Sequence, residues 1–406
     1  MRERIDQITK LKPCLYAEKV QPKRFRGGVN LDPESLNERW QVLNNATSRS
    51  LLEADSDTLL PYQKNIENCV GLISMPLGIA GPLRINGTNA SGDYLIPLAT
   101  TEATLVASYH RGCRIITNSG GCNTVLIHEG LSRAPGFVFS RLEEAVKFVA
   151  WIKTNQCQLK EQAESTTRFG KLIDISTAIE GNYAYLILDY DTGDAAGQNM
   201  VTIATQAVCA FIAKNSPVQP QYAFIESNLS GDKKATAACF SHVRGKKVIA
   251  EAVIPNDVLK RMLRTDAVTM TEYIRISTTA AMLSGAIGVT GHYSNALAAI
   301  FIACGQDAAC VAEASIGITR LDTTSTGDLR ISVSLPNLPV GTVGGGTSLP
   351  TQKACLDLLK LHGSGHAQAF AEVCAGLCLA GEISLIGALC ANEFSRAHQR
   401  YARTTT

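Results

Sequence analysis

GFVFSRLEEAVKFVAWIKTN, residues 136–155, decides how the chain divides. Four apolar residues end at Ser140-Arg141, and apolar side chains then return at helical spacing from Leu142 to Ile152, so the stretch predicts a strand followed by a helix. Working outward, LIDISTAIEGNYAYLILDY (172–190) reads as the next strand and NMVTIATQAVCAFIAK (199–214) as a helix opened by a glycine turn. QYAFIES (221–227) reads as a last strand. This order predicts a compact, ferredoxin-like α+β unit of about 90 residues inserted into a larger domain. The expected division is a helical N-terminal region over 1–70, a large helix-rich domain over 71–133 and 225–406, and the small inserted domain over 134–224.

Elsewhere the punctuation is strong. ENCVGLISMPLGIAGPLRING (67–87) brings Pro76, Gly78, Gly81 and Pro82 together and predicts a structured loop or short strands. TTEATLVASYHRGCRIITNSGG (100–121) predicts a helix from near Thr101 to Gly120-Gly121. After the inserted unit, helix-rich sequence runs to residue 320. It is followed by a strand-like DLRISVSLP (328–336), the loop GTVGGGT (341–347) and long helices.

The 406 residues suffice for two or three domains. With 38 basic and 36 acidic residues the net charge is +2, which gives no field to attract nucleic acid or anionic lipid. The 13 cysteines include no Cys-x-x-Cys pair and no zinc-like Cys/His spacing, so no metal is expected and the thiols read as reduced and mostly buried. MRERIDQITKLKPC lacks the apolar core of a signal peptide. SNALAAIFIACGQDAACVAEAS (294–315), read as the most apolar run, is broken by Gln306 and Asp307. The expectation is a soluble, cytoplasmic protein.

Several residues carry potential chemistry. In ESNLSGDKKATAA (226–238), Asp232 precedes Lys233 and Lys234 in weakly polar surroundings, so either a solvated charge run or a partly buried cluster is implied. Asp307 lies within an apolar run and needs a cationic or hydrogen-bonding partner if buried. Glu102 reads as a first-turn acid stabilised by the helix dipole. Ser108 and Arg111 share one helical face, suited to a carboxylate or phosphate. His398 reads as a helix-end histidine. DYDTGDAAGQNM and GTVGGGTSLP are turns able to cradle an anion, or ordinary tight turns, and neither fits the dinucleotide or P-loop fingerprint.

ENCVGLISMPLGIAGPL, LATTEATLVASYHRGCRII, DTGDAAGQNM, GDKKATAA, AIFIACGQDAA, GTVGGGTSLPTQKACL and LAGEISLIGAL occur in this order. Together they resemble the signature segments of 3-hydroxy-3-methylglutaryl-CoA (HMG-CoA) reductase, from about residue 60 onward, most of all the class I catalytic domain of eukaryotes and many archaea. The resemblance implies NADPH-dependent, four-electron reduction of HMG-CoA to mevalonate and CoA. It further implies that Lys233 stabilises the developing oxyanion, Asp307 partners it, Glu102 supplies a proton and His398 protonates the departing thiolate. It places the cofactor in the small domain, against Asp194, Gly197, Asn199, Gly344, Gly345 and Thr347, with Arg168 on the 2′-phosphate. Substrate contacts carried over are Ser108, Arg111, Arg133, Lys234 and Asn295. A homodimer or tetramer with the site between subunits is implied, and the membrane region that eukaryotic members carry is not expected within these residues.

The chain departs from the pattern at Glu226, where a small hydroxyl usually meets the substrate, at His110, and at Ala196 and Gln198. Glu226 opposes a substrate carboxylate unless it points away or pairs with a lysine. That leaves open a related acyl-CoA as substrate, and the retained quartet weighs against a silent acyl-CoA-binding homologue. Thr404 lies where some members carry a phosphorylatable serine, although a frayed terminus is the plainer reading.

Overall fold

The computed structural model describes residues 27–391, which fall into two compact units divided between Ser74 and Met75. His398 and Thr404 lie outside the described residues.

The first unit owes its helices to their caps. Asp32 accepts from the Ser35 amide and Pro33 opens the helix Pro33–Leu43. Asn44 then turns left-handed, and Asn45 and Asp55 cap the short helices Ala46–Leu52 and Ser56–Leu59. Leu31, Leu36, Leu59 and Cys69 form a small core, over which Arg39 and Trp40 donate to the carbonyls of Cys69 and Val70.

The second unit is built on strands β1 (Leu77–Gly87), β2 (Ser91–Ala99), β3 (Cys122–Arg133), β4 (Gly136–Val138), β5 (Lys171–Glu180), β6 (Tyr183–Asp191), β7 (Tyr222–Phe224), β8 (Gly245–Ile254), β9 (Gly288–Val289), β10 (Gly317–Thr323) and β11 (Leu329–Leu338). They run in the order β7-β4-β6-β3-β8-β11-β10-β9, with β1 and β2 branching from β3 and β5 from β6. Strand β3 serves two neighbourhoods. Asn123–Gly130 pairs antiparallel with β8, and Leu131–Arg133 pairs antiparallel with β6. Arg133 therefore sits where the two pairings meet.

Two cores flank this strand. In one, β6 alternates, sending Ala184, Leu186, Leu188 and Tyr190 inward against Ala145, Phe148, Val149 and Ile152 of the helix Leu142–Thr154. The other surrounds the helix Ala367–Cys390, mostly apolar and almost wholly buried, its Glu372 and Glu382 satisfied by hydrogen bonds. This 24-residue helix, rather than the 294–315 run, is long and apolar enough to cross a membrane, but here it is packed against protein. It approaches the helix Leu105–Asn118 so closely that a Cβ on Gly112 would lie 1.8 Å from the Ala380 carbonyl oxygen.

Three expectations need correcting. Residues 172–190 are two strands, not one, because Gly181 at φ 58° lets the chain reverse between Glu180 and Tyr183. The region read as helix-rich up to residue 320 contains β8 and β10; in β8 the alternation of Val248, Ala250, Ala252 and Ile254 into the core overrides the helical leaning of Ala and Glu. The helix expected from Thr101 begins at Leu105, after Thr104 adopts φ 70°.

Candidate active site

The lysine loop holds its three charges in unlike ways. Asp232 accepts from Arg133 Nη1 at 2.9 Å and forms an ion pair with Arg244 Nη2 at 2.8 Å. Lys233 sits at φ 57°, unusual for a residue with a Cβ, and its ammonium meets Asp307 Oδ2 at 2.8 Å. Both partners keep about two-fifths of their side-chain surface open, 44% and 39%. Lys234 is exposed and its Nζ donates to the carbonyl of Asp232 at 2.9 Å.

Asp307 is not in a helix, contrary to expectation. The helix Tyr293–Ala303 ends before Gly305, which turns at φ 68°. Asp307 instead caps the turn Ala308–Cys310 by accepting from the Ala309 amide. Partial burial works to raise its pKa, but the Lys233 ammonium and the Ala309 N–H outweigh it and leave Asp307 below the usual carboxylate range. The same hydrogen bond holds Lys233 above the usual lysine range.

Behind this exposed pair lies a buried network. Glu313, fully buried, takes Arg244 Nη1 on both oxygens at 2.6 Å and the Lys233 amide on Oε1 at 3.1 Å. Burial pushes the Glu313 carboxyl up, and Arg244 offsets part of that. Gln198 Oε1 accepts from Arg244 at 2.7 Å. Glu226 is held by an arginine rather than a lysine. Its Oε1 accepts from the amides of Ser227 and Asn228, and its Oε2 meets Ser230 Oγ at 3.0 Å and Arg133 Nη1 at 3.3 Å. Arg133 is thus buried and already engaged by two carboxylates.

The two glycine turns, far apart in sequence, meet in space. Ala195 and Val343 form a parallel bridge, and the Asp194 carbonyl accepts from the amides of Thr342 and Val343. The Asp194 carboxylate is spent on the amides of Gly365 and Ala367, ordering the start of the long buried helix. The helix Gln198–Asn215 opens from Gly197 at φ 77° with no side-chain cap and no acid in its first turn, so its amide end is open to an anion. A Cβ on Gly193, Gly344 or Gly345 would meet nothing within 4 Å, leaving room for a ligand at these backbones. Asn199 is exposed on that helix's first turn, whereas Thr347 is buried and donates to the Gly344 carbonyl at 2.6 Å. Arg168 is exposed.

Other expected site residues are placed differently. Glu102 is exposed in the segment preceding its helix. Ser108 and Arg111 converge on Ser384 of the long helix at 2.9 and 3.0 Å and so tie the two helices together. Asn295 is half-buried in the first turn of Tyr293–Ala303.

The family model for hydroxymethylglutaryl-coenzyme A reductase matches residues 35–403. The chain belongs to this family. It is 41% identical to the 3-hydroxy-3-methylglutaryl-coenzyme A reductase of Pyrococcus abyssi, over 84% of this chain and 85% of that protein. It is 43% identical to the one from Methanocaldococcus jannaschii, over 86% and 87% respectively. Among solved structures, the class II HMG-CoA reductase of Streptococcus pneumoniae bound to NADPH shares the fold with a TM-score of 0.65 at 20% identity, covering 87% of this chain and 96% of that one.

For an HMG-CoA reductase family member, the buried half of the site was the harder half to read. Arg244 and Glu313 escaped notice. The signal for Glu313 was present, since it is a second lone acid in the apolar run that drew attention to Asp307. For Arg244, in VRGKK beside other cations, no feature of the sequence marks it as buried.

Proposed function

We propose that the protein reduces HMG-CoA to mevalonate and CoA with NADPH. The observation that carries this reading is the Lys233–Asp307 pair, exposed beside a cluster of open glycine turns in a chain of this family. Bound NADPH would supply the hydrides. The uncapped amide end of Gln198–Asn215 and the turn at Gly344-Gly345 suit its pyrophosphate, and Arg168 suits its 2′-phosphate, which favours NADPH over NADH.

The chain's own residues do the rest. The Lys233 ammonium stabilises negative charge as it grows on the substrate carbonyl oxygen, and Asp307 keeps that ammonium protonated and aimed. Glu102, exposed, is available to supply a proton, and His398 is assigned the departing thiolate by family resemblance alone. The division into a large domain, 71–133 with 225–406, and a cofactor domain, 134–224, fits the two cores on either side of β3. We further infer a homodimer that completes the site. Ile276, Met282 and Leu283 of the helix Ala267–Ser284 are large apolar side chains left exposed, as a subunit interface would need.

One observation favours a second reading. Arg133, assigned to the substrate, already holds Glu226 and Asp232, so an acyl end without a free carboxylate fits this pocket with less competition. Following NADPH oxidation with HMG-CoA, with Lys233→Ala and NADH controls, decides between them. Two NADPH consumed per mevalonate, lost in Lys233→Ala, is the expected result. A folded dimer inert toward HMG-CoA but active on an uncharged acyl-CoA would establish the second reading instead.

A further inference from the structure

Lys233 is gripped at two points by one short segment. Asp307 holds its ammonium, and Glu313, six residues later, holds its backbone amide at 3.1 Å. The turn Ala308–Cys310 runs directly into the helix Val311–Ala314, so the two acids move as one piece. Glu313 is in turn fixed by Arg244, whose own amide donates to Asn337 Oδ1 at 2.9 Å and which immediately precedes β8, a strand with neighbours on both sides. The other guanidinium nitrogen of Arg244 lies against Asp232, the residue before Lys233. The left-handed conformation of Lys233 is thereby held from both sides of the residue.

We infer that Arg244 and Glu313 are positioning residues for the reaction, a buried ion pair that sets the Lys233 backbone so that its ammonium stays on Asp307. A reacting group gains from partners whose geometry is itself locked by buried side chains on rigid elements. The inference rests on the proposed role of Lys233.

The test compares Glu313→Gln, which keeps an oxygen for the Lys233 amide, with the double variant Arg244→Met/Glu313→Leu. The double variant orphans no charge, because Asp232 retains Arg133. In NADPH oxidation with HMG-CoA, Glu313→Gln is expected to stay within about threefold of the parent, since the hydrogen bond it keeps is the one that matters. The folded double variant is expected to lose about tenfold or more in kcat, with the KM for NADPH little changed. Its alkaline limb should move to lower pH as the ammonium leaves Asp307, with Asp232 and Cys310 the other groups facing it. A merely structural pair would lower the melting temperature and leave kcat and the pH profile of the folded fraction alone.

A folded double variant with the parent's kcat and alkaline limb overturns the inference while leaving the role of Lys233 intact. Full turnover in Lys233→Ala overturns both. Should the double variant not fold, hydrogen exchange at the Lys233 amide of the unaltered protein decides: protection is expected, and exchange at the unprotected rate removes the clamp.

Discussion

The carboxylate of Asp232 lies between two buried guanidiniums, Arg133 at 2.9 Å and Arg244 at 2.8 Å, whereas the ammonium of the next residue meets one half-exposed carboxylate, Asp307. Two adjacent residues thus take opposite parts. A buried charge flanked by fixed partners gives the loop its shape, since removing a partner leaves an uncompensated ion in a poor solvent. An exposed pair contributes little to folding, because water and salt screen it, and its charge remains available to a ligand.

The sharpest way to break this comparison is to remove one charge from each side. Arg244→Ala should lower the unfolding free energy by about 3–5 kcal/mol in denaturant titrations, because Glu313 would stay buried without its cation. Lys233→Ala should change stability by less than about 1 kcal/mol, yet lower kcat by about a hundredfold to a thousandfold, the range for losing an oxyanion-stabilising donor. Equal destabilisation by both would show that the exposed pair is structural and that the division drawn here is wrong.

Glu226→Ser probes the buried side more gently. It frees one bond on Arg133 Nη1 while Asp232 keeps the guanidinium paired, so the loop should stay folded. If a substrate carboxylate competes with Glu226 for Arg133, the KM for HMG-CoA falls by about tenfold, the worth of one charge-assisted hydrogen bond, with kcat little changed. An unchanged KM would mean that Arg133 does not meet the substrate.

The exposed pair has a pH signature of its own. Lys233 titrates above the ordinary lysine range, so the stability it contributes is complete below the unfolded lysine pKa and is lost as pH rises through the raised folded value. Asp307 titrates below the ordinary range, so its contribution is present above the unfolded carboxylate pKa and lost as pH falls through the lowered one. Activity should therefore hold on the alkaline side until the raised lysine value is reached, and Asp307→Asn should bring that limb down. An alkaline limb unmoved in Asp307→Asn would separate it from Lys233.

What was legible in the sequence follows the same line between exposed and buried. Lys233 and Asp307 were found because a lysine loop and a lone acid stand out against their neighbours, and their pairing came from resemblance, which the geometry then bore out. Arg133 was carried over as a substrate contact by resemblance, and nothing in GLSRAPG reveals that two carboxylates, from residues 226 and 232, converge on it. Ser108 and Arg111 were correctly seen to share a face, but their target, Ser384, belongs to a helix hundreds of residues away. The α+β character and the strand–helix succession of residues 136–155 were readable from periodicity. The strand β8 was not, since it carries helix-forming Ala and Glu at positions decided by its two neighbouring strands.

A last effect lies away from the site, on β6. Asp189 is half-buried opposite Asp174 across the β5–β6 ladder, and burial first, Asp174 second, push its pKa up to about 6, with His242 and His128 working the other way. The unfolded chain would release this proton near the ordinary aspartate value, so between that value and about 6 the native state holds a proton that the unfolded state lacks. Stability contributed by Asp189 is accordingly lost as pH rises through this window, and the deficit persists above it. Asp189→Asn cannot ionise and should raise the unfolding free energy by roughly 2 kcal/mol at pH 8 and by about half of that at pH 5, midway through the window. Thermal unfolding of parent and variant at both values measures this. A gain of the same size at pH 5 and pH 8 would assign the effect to packing of the amide, and the buried carboxylate would then be an acid whose desolvation is met by its surroundings.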